Sequence, residues 1–221
     1  MRGIYAVDPA FVALQIDATV EDIPPDAVKT GMLAEEAIVS VVVEAAERHH
    51  FPALVVDPVM VATTGARLLA DDAVSAVRER LLPIATLVTP NAPEAAVLLG
   101  RPVETPDDQE AAARALVREL GARAALVKGG DLEGEILIDA FCEAGAGGNP
   151  PRVHLFRDRR IETTSTHGSG CALASAIAAY LARGEDLIAA VEKGRAWVRR
   201  GIENAPPLGG GPGPLDLFPH I

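Results

Sequence analysis

The sequence predicts an α/β fold: a three-layer αβα sandwich around a mainly parallel sheet, built as one domain over residues 1–221. Three observations predict it. Short runs made only of apolar residues alternate with helical stretches of ten or more residues, the pattern of strands buried on both faces. The alternation breaks after Gly130, where two strand-like runs follow one another across a flexible loop and read as an antiparallel pair. Asp57, Asn91 and Lys128 each stand at the carboxyl end of a predicted parallel strand, the edge at which open α/β sheets hold their ligands.

Each element has its own signal. Residues 11–20 carry apolar side chains at helical spacing and stop at Pro24-Pro25. Ala27-Val28 opens a short strand that leads into Lys29-Thr30-Gly31. Residues 35–49 read as a helix and 53–56 as an all-apolar strand ending at Asp57. Residues 71–82 read as one helix, whose Asp71-Asp72 start suits the positive end of its dipole. A strand over 86–88, a short helix over 94–99, a helix over 107–120 and a buried strand over 124–127 follow. The runs 136–141 and 153–156 are the antiparallel pair, parted by the loop 144–151. Two long helices, 170–183 and 186–204, come next, with Trp197 at core spacing on the second. The Gly/Pro-rich stretch 206–214 is expected to lie extended on the surface.

Composition narrows the function classes. With 49% hydrophobic residues and a mean hydropathy of +0.20, the chain can bury a core and is not disordered. Acidic residues outnumber basic ones by 31 to 20, which argues against nucleic-acid or anionic-membrane partners. Cys142 and Cys171 alone make neither a disulfide framework nor a metal-ligand spacing, and His49, His50 and His154 add none. A reducing cytoplasm is the expected compartment. The first residues contain no apolar signal-peptide core, and the apolar run near 173–182 is too short to span a bilayer.

The strongest chemical motif is Thr166-His167-Gly168-Ser169-Gly170-Cys171, directly before a helix of small residues. Little side-chain bulk there lets a ligand approach the backbone. Amides from Gly168 through Cys171 at the positive end of a helix would form an anion hole suited to a transferring phosphoryl group. Cys171 at that helix start is expected to have a lowered pKa and to take the proton of an attacking hydroxyl. The alternative is a Gly-rich turn with an inert cysteine, and His167 is either a second proton carrier or a structural residue.

Thr89-Pro90-Asn91-Ala92-Pro93-Glu94 sets an amide and a carboxylate three residues apart on one helical face. Such a pair can hold a hydrated Mg²⁺, or can simply be a capping box. Asp57, followed by Pro58, could order Mg²⁺ or a substrate hydroxyl, or could only form a turn. Lys128, before Gly129-Gly130, could reach nucleotide phosphates or be a solvated turn lysine. Met32, in Lys29-Thr30-Gly31-Met32-Leu33, could line an aromatic ligand's pocket or belong to the core. Any one of these is weak. Their functional readings share a requirement that their structural readings do not: all must meet at one crevice.

In this order, Asp57-Pro58-Val59-Met60, Thr89 through Glu94, Val127-Lys128-Gly129-Gly130 and Thr166 through Cys171 resemble the hydroxymethylpyrimidine/phosphomethylpyrimidine kinases of thiamine biosynthesis. The Lys29 to Leu33 turn and the ending Gly213-Pro214-Leu215-Asp216-Leu217-Phe218 fit as well, so the resemblance spans nearly the whole chain. It implies a ribokinase-like fold, ATP and Mg²⁺ as cofactors, and phosphorylation of hydroxymethylpyrimidine or its monophosphate. It also implies a small-molecule substrate and a homodimer.

By this resemblance Cys171 is the candidate base, with Gly168, Ser169 and Gly170 as the anion hole. Lys128, Asn91, Glu94 and Thr166 bind the nucleotide, Asp57 and Glu94 order the metal, and Met32, Val59 and Cys171 contact the acceptor. Some pyridoxal kinases share the cysteine form, so pyridoxal stays open as the acceptor. The family begins with a strand and a Gly-rich acidic segment that this sequence does not match. A first strand is therefore expected to be absent from the sheet, which leaves a third reading open, a non-catalytic nucleotide-binding remnant.

Overall fold

The computed structural model describes residues 5–60, 68–145, 147 and 149–218. Helix α1 (Pro9–Asp22) starts where Asp8 Oδ1 accepts the amides of Ala10 and Phe11, with Pro9 at the first helical position. None of its residues is buried. It lies against α2 (Glu36–His49), held by Asp17, which accepts from Arg48 Nη1 at 2.7 Å and bonds His49 Nε2 at 2.7 Å.

The parallel strands are β1 (Val28–Thr30), β2 (Leu54–Val56), β3 (Leu87–Val88) and β4 (Ala124–Val127). Between them run α2, α3 (Asp71–Ala76), α4 (Ala92–Leu99) and α5 (Pro106–Arg118). The hairpin β5 (Ile136–Glu143) and β6 (Arg152–Arg159) then pairs antiparallel to β4. Strand order among the described residues is sequence order, β1 to β6. Neighbouring parallel strands joined by crossovers of one hand place all their helices on one face. Accordingly α2, α3, α4 and α5 pack on Leu54, Val56, Val88, Ala125 and Val127. Helices α6 (Ser169–Ala182) and α7 (Leu187–Glu203) cover the other face against Val55, Leu87, Leu126 and Phe141.

Strand side chains alternate between the two faces and both faces are buried, which is why these strands read as unbroken apolar runs. Each fully buried leucine, such as Leu87 and Leu126, contributes about 1.5–3 kcal/mol of transfer free energy. The expected fold class holds, and no described helix is long and apolar enough to cross a membrane.

Two expectations are corrected. The single helix expected over 71–82 stops being α-helical after Ala76, continues as a π-helical stretch Val77–Leu81, and ends in a 3₁₀ turn Leu82–Ile84. Pro83 is the cause, because it lacks an amide hydrogen and its ring crowds the carbonyl four residues back. The Gly/Pro-rich tail is exposed from Pro207 through Pro212, but Gly213 and Leu215 are buried. The amide of His167 donates to Gly213 O at 3.1 Å and that of Asp216 to Gly201 O at 2.9 Å, so the tail is bound to the start of α6 and to α7.

Candidate functional site

The carboxyl ends of β2, β3 and β4 bring Asp57, Thr89, Asn91 and Lys128 together. Asn91 and Lys128 form a parallel β-bridge, and Lys128 N donates to Pro90 O at 2.9 Å. Asp57, only 2% exposed, accepts at Oδ1 from Lys128 Nζ at 3.2 Å and from Thr89 Oγ1 at 3.4 Å. Its Oδ2 faces Lys29 Nζ at 3.8 Å. A Cβ on Gly170 would stand 3.1 Å from Lys128 Nζ, so the first turn of α6 closes on the same ammonium. The four motifs therefore share one rim.

At the α6 end, Gly168 takes a left-handed conformation (φ 81) that non-glycine residues rarely adopt. The anion hole is narrower than the sequence implied. Ser169 N is already donated to Thr166 O at 3.2 Å, whereas the amides of Gly168, Gly170 and Cys171 have no backbone acceptor among the described residues. Those amides and the Lys128 ammonium give an acidic protein a local site for anions.

Cys171 departs from expectation. Its residue is exposed, yet partial burial of the thiol, and then the Asp57 charge, raise its pKa; Lys29 and Lys128 oppose the shift. The nearby Asp57 carboxylate thus favours the protonated form of the thiol. A helix start alone would have lowered the pKa, and the neighbouring carboxylate reverses the sign.

Asn91 and Glu94 form the capping box: Asn91 Oδ1 accepts Glu94 N at 2.8 Å, and Glu94 Oε2 accepts Asn91 N at 2.9 Å. Glu94 Oε1 accepts Met60 N at 3.2 Å, which ties β2's exit loop to α4. Burial pushes the Glu94 carboxyl up against the opposing effect of Lys128. All four oxygens of Asp57 and Glu94 thus face protein donors, and no described cluster of three or more His, Cys, Asp or Glu could hold a metal ion. This donor set fits a magnesium ion that arrives on phosphate and keeps its waters, not one caged by side chains.

Val59 has φ 43, a left-handed conformation that costs a β-branched residue about 1–3 kcal/mol. Met32 is 38% exposed at the end of β1. Residues 61–67 lie outside the described set.

Further contacts behind the rim were not legible in the sequence. Gly129 N donates to Asp139 Oδ1 at 2.8 Å, and Asp139 Oδ2 accepts from Arg195 Nε at 2.8 Å, linking the loop after β4 to α7. Arg160 donates to the carbonyls of Gly130 (2.9 Å), Gly134 (2.9 Å) and Leu132, which folds the loop that follows. Beside them a cleft of about 130 Å³ is lined by Thr163, Thr166, Leu173, Arg195, Val198 and Ile202. On the outer side of α6 and α7, a larger apolar groove of about 670 Å³ begins at Cys171 and runs past Tyr180 and Trp197, so Trp197 borders this groove as well as the core.

A sequence profile described as phosphomethylpyrimidine kinase matches residues 1–216. The thiamine biosynthesis bifunctional protein ThiED of Geobacter sulfurreducens is 46% identical over 98% of this chain, which spans 43% of that protein. A hydroxymethylpyrimidine/phosphomethylpyrimidine kinase of Synechococcus elongatus is 39% identical over 97% of this chain and 79% of its own length. Among solved structures, the ADP complex of Bacillus subtilis pyridoxal kinase superposes with a TM-score of 0.89 at 29% identity, covering 98% of this chain and 79% of that one.

Proposed function

Because the chain belongs to the phosphomethylpyrimidine kinase family, we propose that it transfers the γ-phosphoryl group of ATP to the hydroxymethyl group of hydroxymethylpyrimidine or its monophosphate. The observation that carries this reading is the Lys128 ammonium, set between Asp57 and the first turn of α6. The phosphates would lie against that ammonium and the amides of Gly168, Gly170 and Cys171, with Ser169 shaping the turn. Thr166 and the cleft beside it would receive the nucleoside, and Met32 and Val59 would border the acceptor ring. The acceptor oxygen bonds to Pγ as the bond from Pγ to the bridging oxygen breaks, ADP leaves, and the hydroxyl proton passes to Cys171 in its thiolate form. Magnesium, when carried on the nucleotide, neutralises phosphate charge; Asp57, Asn91 and Glu94 would meet its water shell.

Positioning and charge do most of the work in such transfers. General-base assistance contributes about 10²–10⁴ in rate. A homodimer is proposed with it, supported by Phe11 and Leu14, which are 54% and 60% exposed on the outer side of α1. The two free cysteines suit a reducing compartment.

One observation favours a second reading: the superposition on a pyridoxal kinase. ADP release measured separately with hydroxymethylpyrimidine, its monophosphate and pyridoxal separates the two. Release with the pyrimidines supports the first reading, and release with pyridoxal alone replaces it. Nucleotide binding with no release for any acceptor overturns phosphotransfer and leaves the binding remnant.

A further inference from the structure

Asp57 is buried between two ammonium groups, and only one of them has a place in the proposed chemistry. Lys128 lies between the carboxylate and the α6 turn, where phosphate oxygens would draw it. Lys29 approaches from β1 on the opposite oxygen, at 3.8 Å, too long for a hydrogen bond but within ion-pair range. Its side chain is 19% exposed, and its ammonium stands 3.2 Å from where a Cβ on Gly31 would be, in space that the glycine leaves open to it. The strand itself fixes the approach: Lys29 pairs in register with Val55 of β2, and Asp57 N donates to Thr30 O at 3.2 Å.

A carboxylate this buried cannot be left alone. Removing one partner of a buried ion pair is strongly unfavourable, because the remaining charge is neither solvated nor paired. If Lys128 were the sole cation at Asp57, drawing it onto phosphate would incur that penalty at each binding event. We propose that Lys29 is the standing counter-charge of Asp57, keeping the carboxylate paired when Lys128 turns to the phosphates of a bound nucleotide. Lys29 is thus a positioning residue that acts on the nucleotide through Asp57 and Lys128, without touching phosphate. The inference rests on the phosphotransfer reading for the role of Lys128.

The test is a double-variant cycle read by calorimetric titration with ADP in the presence of a chelator, which removes any contribution from magnesium, together with melting curves. Lys29→Met is expected to bind ADP about tenfold more weakly than the wild type, since Asp57 then retains Lys128. Adding Asp57→Asn to Lys29→Met removes the charge that retains it and is expected to restore affinity to within about threefold of the wild type. A merely structural lysine would give no such rescue. Equal affinity in Lys29→Met and the wild type overturns the proposal, as does a double variant that stays as weak as Lys29→Met. If Lys29→Met does not fold, the double variant decides by the same threefold criterion. A wild type that does not bind ADP overturns the phosphotransfer reading itself, and this inference with it.

Discussion

The ammonium of Lys128 stands 3.2 Å from Oδ1 of Asp57, although 71 residues separate them in the chain. The contact exists because β2 and β4 end on the same edge of the sheet with β3 between them, and because α6 then delivers Gly170 onto the ammonium. It turns four unremarkable turns into one site.

Gly170→Ala tests that delivery. The new methyl would meet only the flexible end of Lys128, so the fold should survive, and alanine suits a first helical turn better than glycine. The ammonium must move by a few tenths of an ångström. Expected are an unchanged or slightly raised melting temperature and an ADP dissociation constant raised about tenfold, or about 1.4 kcal/mol. Calorimetric titration with ADP and a melting curve on the same sample check both.

Gly129→Ala should behave in the opposite way. A Cβ there would lie 1.9 Å from Ile138 O and 2.9 Å from Gln109 Nε2, and the carbonyl belongs to a strand held on both sides. Nothing nearby can yield without parting β4 from β5. We expect a loss of about 3 kcal/mol or more, at the upper end of overpacking effects, measured by urea denaturation. Arg160→Ala, which leaves the sheet intact but frees the carbonyls of Gly130 and Gly134, should instead raise the ATP KM with a smaller loss of stability.

Much of this was legible in the sequence, and the omissions have a common cause. The parallel strands were readable because burial on both faces leaves nothing but apolar residues in them, as in Leu54-Val55-Val56. The rim was readable because Asp57 and Lys128 follow such runs directly and Asn91 comes three residues after one. Lys29, Asp139, Arg160 and Arg195 were missed because each acts through a partner on another element, and no local spacing encodes that. The same cause misled the reading of Cys171, whose helix start is local and whose Asp57 neighbour is not. The helix break before Pro83 carried a local signal, the proline itself.

Glu94 gives a pH signature of the fold alone. Burial raises its carboxyl pKa, so the folded state holds this proton more tightly than the unfolded chain. Its contribution to stability is therefore fully present below the ordinary glutamate value and is lost as pH rises through the raised one. Glu94→Gln removes this dependence. The wild-type melting temperature should fall relative to that of Glu94→Gln as pH is taken from acid towards neutral, in parallel melts. A constant difference across that range would show that the carboxyl does not titrate as its burial implies.

Cys171 gives the corresponding signature of the chemistry. Its thiol is held above the ordinary cysteine range, first by burial and then by Asp57, so only a small fraction is thiolate near neutrality. If Sγ takes the proton of the acceptor hydroxyl, turnover must track that fraction. The kcat of the wild type should climb steadily with pH from neutral into the alkaline range and show no plateau at ordinary thiol values. Cys171→Ala should lose this alkaline limb and about 10²–10⁴ in kcat, while binding ADP nearly as the wild type does, because the amide of residue 171 is retained. A Cys171→Ala enzyme that keeps both its rate and the alkaline rise would remove the thiol from proton transfer and direct attention to Asp57, the carboxylate whose charge raises the pKa of that thiol.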